Sequence, residues 1–357
     1  MNSLLLFGST GAVGTACLEV LARRDDVSLV IAGRDEARLR EVAESVQADV
    51  DIVVVDVADA AAVSAAIAGR DGVVNCAGPS QHFSADMAEA AVAAGVSYVD
   101  PGGDDVLLDR LAAAAPASPV LLQAGVQPGL SGLLLRVLAA RVNGGVEAVT
   151  AWCGGLQPLT SASVLEYLAS LHDGHSHPGS ELRGGEIRPV DRGAIKPVIP
   201  HYFPSSATAR PHLDSETIAV AERLGIGNLS WLNVFDGAYT TRAMQRLAID
   251  EQSPGDLKGV LAAANVDLFG RLPYFCMVAA AGSTSVAFRC ADSYRVTGAL
   301  TAFAASLVMA MPADVVSLSQ IDEPQGAFDF VVASVPGAEL VFGDEAEAEP
   351  TMEEGSL

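Results

Sequence analysis

The chain has 357 residues, half of them hydrophobic and 18% charged, which is enough apolar material for two domains or for one large domain with an insertion. A formal net charge of −23 repels nucleic acid and anionic membrane surfaces alike, so neither is an expected partner. Five scattered cysteines give no disulfide framework and no zinc spacing; no metal is expected, and a cytoplasmic location is.

Residues 4–7 form a short apolar run that ends in Gly8-Ser9-Thr10-Gly11-Ala12-Val13-Gly14. Strand, glycine turn and amphipathic helix, in that order, suit a dinucleotide pyrophosphate. The glycines let bare backbone approach the phosphates, and the helix N-terminus offers unpaired N–H groups and a partial positive charge. The spacing is G-x-x-G-x-x-G, a variant found among extended NADP-dependent reductases. No basic segment precedes the apolar run, so no signal peptide is expected.

A helix over 12–24 follows, then a strand over 28–32 ending at Gly33-Arg34. An acidic residue there would bind a ribose 2′-hydroxyl and favour NAD. Arginine can pair with a 2′-phosphate, which favours NADP. Asp35 reads as the cap of a helix over 36–46. The strand over 52–55 leads to Asp56 and Val57, expected along the adenine edge, with capping of the helix over 60–68 as the other reading of Asp56. The strand over 72–75 ends in Cys76-Ala77-Gly78-Pro79, small residues where a dinucleotide crosses the sheet. Cys76 reads as a small residue that permits close approach, since no cation is placed to stabilise a thiolate. A helix over 83–94, a strand over 97–99 and a helix over 106–115 come next. A strand over 120–123 then leads to Gly125-Val126-Gln127-Pro128-Gly129, followed by an apolar helix to 142. Alternating strands and helices predict a doubly wound parallel sheet, an N-terminal Rossmann-like α/β domain over 1–143.

The pattern then changes, and 144–291 reads as a second α+β domain for substrate binding and dimerisation. It has strands over 146–153, 229–234 and 276–288, the last two candidates for an interface sheet. The stretch 172–211, rich in Gly, Pro, His and Arg, reads as loops forming a lid. Residues 292–342 read as a helix and strand returning to the first domain. The apolar stretches 130–140 and 299–311 are too short to cross a bilayer. Residues 343–357 form an acidic tail, expected to be disordered.

Taken together, Gly8 to Gly14, Gly33-Arg34, Val74 to Pro79, Tyr98-Val99-Asp100 with Gly102 to Asp104, Gly125 to Ser131 and Asp292-x-Tyr294-Arg295-x-Thr297 resemble the saccharopine dehydrogenase-like reductases. The resemblance implies NADP as cofactor. It places the 76–79 loop beside the pyrophosphate and nicotinamide ribose and the Pro128-Gly129 turn near the nicotinamide, with Gly125 among the cofactor-binding residues. It also implies a second domain on a mixed sheet and a homodimer. Pro101 displaces the acid expected after Asp100. In size, and in its histidine-containing second domain, the chain is similar to the thiazolinyl imine reductases, which reduce a thiazoline ring on a peptidyl carrier protein in siderophore assembly.

Hydride transfer to a C=N bond calls for a proton donor to nitrogen. His201, Tyr202, His175 and His177 are the leading candidates; His172, His212, His82 and Tyr239 are weaker ones. Three functions stay open: an NADPH-dependent imine reductase acting on a free or carrier-bound small molecule, a saccharopine-type amino-acid dehydrogenase, and a non-catalytic NADP-binding redox sensor. The second needs carboxylate pockets, for which Arg183, Arg188, Arg192 and Arg210 are available unless neighbouring acids pair with them.

Overall fold

The computed structural model describes residues 2–171, 174–191, 198–249 and 254–344. They form two compact units, residues 1–133 with 292–336, and residues 134–291 with the segment from 337 onward.

In chain order the first unit holds β1 (Asn2–Phe7), α1 (Ala12–Leu21), β2 (Val27–Gly33), α2 (Glu36–Ser45), β3 (Val50–Val54), α3 (Ala60–Ile67), β4 (Gly72–Asn75), α4 (Ser80–Ala94), β5 (Ser97–Val99), α5 (Asp105–Ala113) and β6 (Val120–Leu122). Helix α6 (Leu130–Ala139) crosses the division between the units. The second unit continues with β7 (Ala148–Leu156), α7 (Ser161–Ser170), β8 (His177–Pro178), β9 (Ser180–Arg183), β10 (Glu186–Pro189), β11 (Thr208–Leu213), α8 (Ser215–Leu224), β12 (Asn228–Phe235), α9 (Ala238–Ile249), α10 (Pro254–Leu268), β13 (Tyr274–Ala281) and β14 (Thr284–Cys290). Helix α11 (Ser293–Val308), β15 (Val315–Ser317) and α12 (Pro324–Ser334) return to the first unit, and β16 (Glu339–Asp344) ends in the second.

The first sheet is parallel throughout, with strand order β15-β6-β5-β4-β1-β2-β3. This is the doubly wound α/β arrangement expected. Strand β1 lies at the switch point, between β2 and β4, so the turn after it opens where the winding reverses. Residues 4–7 of β1 are all buried, which explains an apolar run without alternation: helices cover both faces of a parallel sheet. Asp292 caps α11 by accepting from the amides of Tyr294 and Arg295. A Cβ on Gly298 would come within 2.7 Å of the Val13 carbonyl oxygen and the Cys17 nitrogen, so glycine lets α11 lie directly on α1. The Arg295–Glu19 ion pair, at 2.6 Å, closes the same contact.

The second sheet is mixed, with nine strands and main order β10-β9-β12-β7-β13-β14-β16; β7 and β12 are parallel and the other pairs antiparallel. Three readings of the sequence need correction. The run 276–288 is not one strand but the hairpin β13–β14, turned at Gly282 with φ +58. The 172–211 stretch, where described, carries β8, β9, β10 and part of β11 and not a lid of loops. Its β9–β10 hairpin turns on Gly184 and Gly185, both at positive φ, as tight hairpin turns require. Residues 186–189 are all exposed, so no apolar alternation marks the strand. The strands read as candidates for an interface sheet, β12, β13 and β14, each pair on both sides within this sheet. Finally, the units divide within α6 and not at 143; α11 and β15 return to the first unit, and only the segment from 337 joins the second, where β16 pairs with β14. Strand β16 runs to Asp344, into the stretch read as tail; residues 345–357 lie outside those described.

Candidate cofactor site and proton donors

The glycine turn is locked from within. The Gly11 amide donates to the Gly8 carbonyl at 3.0 Å, and the Thr15 hydroxyl donates to the Ser9 carbonyl at 2.8 Å. Gly8 has φ +76, and a Cβ there would sit 2.4 Å from the Cys76 carbonyl carbon. A Cβ on Gly14 would strike the Gly8 oxygen at 2.1 Å. Bare backbone is therefore a steric necessity at both positions. Helix α1 begins at Ala12, and Gly11 before it offers no side-chain cap, so its first amides stay available to an anion. Ser9 is fully buried in this turn, and its hydroxyl has no hydrogen-bond partner among the described residues. An orphaned donor beside uncapped amides suits a pyrophosphate. Thr10, Ala12 and Val13 lie in the same turn and the first turn of the helix, as expected.

Strand β2 ends at Gly33 and leaves Arg34 exposed, with no ion-pair partner among the described residues. The carboxylate of Asp35 accepts from the Arg38 amide and caps α2, as its position suggested. Sequence reasoning passed over Arg38. Its guanidinium donates to the Thr10 carbonyl at 3.4 Å, which brings a cation to the glycine turn. The available signal was spacing, since Arg38 follows Arg34 by four residues.

Val55 donates to the Gly33 carbonyl at 2.9 Å, so Asp56 and Val57 follow directly beside the end of β2. Asp56 is exposed and accepts from the Ala58 amide, whereas Asp59 caps α3; the capping reading of Asp56 is thus corrected by three residues. Val57 packs against the first unit's core.

On the other side of β1, the Cys76 amide donates to the Phe7 carbonyl at 2.9 Å, and Gly78–Pro79 is a cis peptide. The Cys76 thiol is pushed well above its ordinary range by its hydrogen bond with Cys17 and by burial, which keeps it protonated and a poor nucleophile. Helix α4 starts at Ser80, three residues earlier than expected, so exposed His82 occupies its first turn. The Gly125 segment forms a compact loop in which the Leu130 amide donates to the Gly125 carbonyl at 2.9 Å. Gln127–Pro128 is cis, and Gly129 takes φ +121. Gly125 sits under the Pro101 carbonyl, 2.9 Å from where its Cβ would be.

The leading proton-donor candidates belong to the second unit. The His201 and Tyr202 rings lie against one another at a tilt of 32°, with centroids 4.1 Å apart, and the Arg289 guanidinium lies 5.9 Å from the Tyr202 centroid. Burial raises the Tyr202 phenol above its usual range, which keeps its proton in place. His177 is part of β8, opposite Leu213, and exposed His175 precedes it. His212 is buried and stacks on Tyr167, which makes it a core residue. Tyr239 is exposed, and its amide is taken by Asp267. His172 and Arg192 lie outside the described residues. Arg183 and Arg188 pair with Glu181 and Glu186, so acids already engage two of the arginines considered for carboxylate pockets. Among the described residues no cluster of His, Cys, Asp and Glu could hold a metal ion.

One polar cluster was not foreseen. Asp236, buried at the end of β12, pairs with Arg271 and accepts from the Tyr274 hydroxyl at 3.0 Å and the Ser206 hydroxyl at 3.2 Å. Burial, then the neighbouring Asp236 carboxylate, drives the Tyr274 phenol far above its ordinary range. No local motif announces this cluster; three separate segments build it.

A parallel sheet with a glycine turn at its switch point defines a dinucleotide-binding domain of Rossmann type, joined to a second domain on a mixed sheet. Residues 4–120 match the family model described as the saccharopine dehydrogenase NADP binding domain, so NADP is the cofactor of this domain. In fold, 96% of the chain is similar to the whole of apo, histidine-tagged saccharopine dehydrogenase (L-Glu forming) from Saccharomyces cerevisiae, with a TM-score of 0.67 and 14% identity. The whole chain is also similar to 94% of homospermidine synthase from Legionella pneumophila, solved with NAD, with a TM-score of 0.62 and 13% identity. A lipid droplet localized protein of Caenorhabditis elegans is 25% identical over 118 residues, which are 30% of this chain and 28% of that relative. The chain thus spans little more than a quarter of that relative. No helix among the described residues is long and apolar enough to cross a membrane.

Proposed function

We propose that the protein is an NADPH-dependent oxidoreductase that delivers hydride to a C=N bond of a small molecule. The observation that carries the proposal is the cradle itself: uncapped helix amides, an orphaned Ser9 hydroxyl, Arg38 on the turn, and exposed Arg34 directly after β2. NADPH supplies the hydride when bound. This chain's part is to hold the cofactor and to protonate the substrate nitrogen, which makes the carbon more electrophilic. His201 is the leading donor in this reading, and Tyr202, which burial makes a weaker acid, is the second candidate.

The thiazoline ring of a siderophore intermediate is the substrate this reading names first, as a free molecule or on a peptidyl carrier protein. The net charge of −23 favours the free molecule, because carrier proteins are usually acidic too. A saccharopine-type dehydrogenase is the second reading, favoured by the likeness in fold to saccharopine dehydrogenase across nearly the full chain. The pairing of Arg183 and Arg188 with acids weighs against a site for several carboxylates. A homodimer and a cytoplasmic setting belong to the same proposal.

The test follows NADPH absorbance with free thiazoline, carrier-bound thiazoline, lysine with 2-oxoglutarate, and saccharopine in parallel. Consumption with either thiazoline supports the first reading, and turnover with the amino-acid pair supports the second. NADPH binding without turnover on any of them points to the redox sensor.

A further inference from the structure

We propose that Asp100 is a positioning residue for NADP: acting through the side-chain amide of Asn75, it aims an acceptor at the Ala77 N–H and so holds the 76–79 loop against the glycine turn. The inference rests on the cofactor assignment of this domain and goes beyond it.

Asp100 follows β5 and is 2% exposed. Its Oδ2 accepts from Asn75 Nδ2 at 2.7 Å and from the Tyr98 hydroxyl at 2.7 Å, and its Oδ1 accepts from the Gly102 amide at 2.7 Å. Asn75, fully buried at the end of β4, also donates to the Tyr98 oxygen at 3.1 Å. Its Oδ1 accepts from the Ala77 amide at 3.0 Å. The Ala77 nitrogen in turn lies 2.5 Å from where a Gly8 Cβ would be. One path of contacts thus runs from Asp100 to Asn75, to Ala77, to the phosphate-binding turn.

The carboxylate does something here that no neutral side chain could. An asparagine amide has a donor end and an acceptor end of nearly equal shape, and only its partners decide which way it points. An ionised carboxylate accepts and never donates. Asp100 therefore draws the NH2 end of Asn75 toward itself, which leaves Oδ1 for the loop. Tyr98 agrees with this polarity, since it gives its proton to Asp100 and takes one from Asn75. Burial pushes the Asp100 carboxyl above the usual carboxylate range. A buried carboxylate is costly to keep and is offset only by complete hydrogen bonding.

The chemistry gives a reciprocal test. In Asp100→Asn the Gly102 amide holds the oxygen end, so the new NH2 faces the Asn75 NH2. Asn75 must flip, and its NH2 then opposes the Ala77 N–H. In the swap Asn75→Asp with Asp100→Asn, the NH2 introduced at position 100 donates to one carboxylate oxygen at position 75, and the other oxygen still accepts from Ala77. NADPH dissociation constants are measured by fluorescence titration on wild type, D100N, the swap and Tyr98→Phe, with folding checked by circular dichroism. D100N is expected to weaken NADPH by about tenfold, the scale of one buried hydrogen bond lost to a donor–donor clash. The swap is expected to recover most of that loss, which a merely structural role for Asp100 would not produce. Y98F, which leaves Asp100 one donor short, is expected to weaken NADPH several-fold. Unchanged affinity in folded D100N or Y98F overturns the proposal, and so does a loss that the folded swap fails to repair. Wild type that does not bind NADPH overturns the cofactor assignment itself, a result distinct from all of these.

Discussion

A Cβ on Gly8 would stand 2.5 Å from the backbone nitrogen of Ala77, so the turn after the first strand and the loop after the fourth are in direct contact. The two segments flank the switch point of the sheet, and each fixes the other. Gly8→Ala should therefore displace both loops at once, and its positive φ adds strain for any L side chain. We expect NADPH binding to fall at least a hundredfold, about 3 kcal/mol of lost binding free energy. Titration with NADPH, on protein shown to be folded, checks this; affinity kept within a few-fold would mean that the loops part easily.

The two guanidinium groups should divide the work. Arg34 is free of ion pairs among the described residues, whereas Arg38 spends one donor on the Thr10 carbonyl. Arg34→Ala is expected to weaken NADPH about tenfold or more while leaving NADH nearly unchanged, because only NADPH carries the 2′-phosphate. Arg38→Ala should weaken both cofactors, since it also loosens the glycine turn. Paired titrations with NADPH and NADH read the difference directly. Equal losses for Arg34→Ala would remove the 2′-phosphate contact.

The adjacent His201 and Tyr202 rings offer two groups that can carry a proton, and one of them must matter if the pair serves a C=N substrate. We expect His201→Gln or Tyr202→Phe to lower turnover about a hundredfold, in the range of general acid catalysis, with NADPH affinity unchanged. Single-turnover kinetics with a substrate found in the absorbance screen makes the measurement. Full turnover in both variants would clear the pair of this role.

The Asp236 cluster sets a stability expectation in the second unit. Arg271→Met removes the cation from a carboxylate that is 3% exposed, leaving the Tyr274 and Ser206 hydroxyls as its partners. Loss of one partner of a buried pair costs about 3 kcal/mol, and Arg271 is itself partly solvated, so the expected loss is toward about 2 kcal/mol. Urea unfolding read by tryptophan fluorescence checks it, since Trp231 is buried in the second sheet. A midpoint unchanged from wild type would show that the hydroxyls alone satisfy the carboxylate.

Local rules made the cofactor domain readable from the chain alone. A glycine at positive φ, an uncapped helix start, an arginine after the second strand and Asp35 as a helix cap each act within a few residues of themselves. Runs of buried apolar residues marked the central parallel strands for the same reason. The second domain was legible only in part. The exposed strand at 186–189 has no apolar face to show, and the β13–β14 turn interrupts an otherwise continuous apolar run. Tertiary structure alone decided which distant groups meet. Asp100 reaches Asn75 across 25 positions, and Asp236 reaches Arg271 across 35. Such pairings depend on strand order and crossover, which no local periodicity encodes, because hydrogen bonds between buried polar groups are chosen by the fold that brings them together and not by the residues beside them.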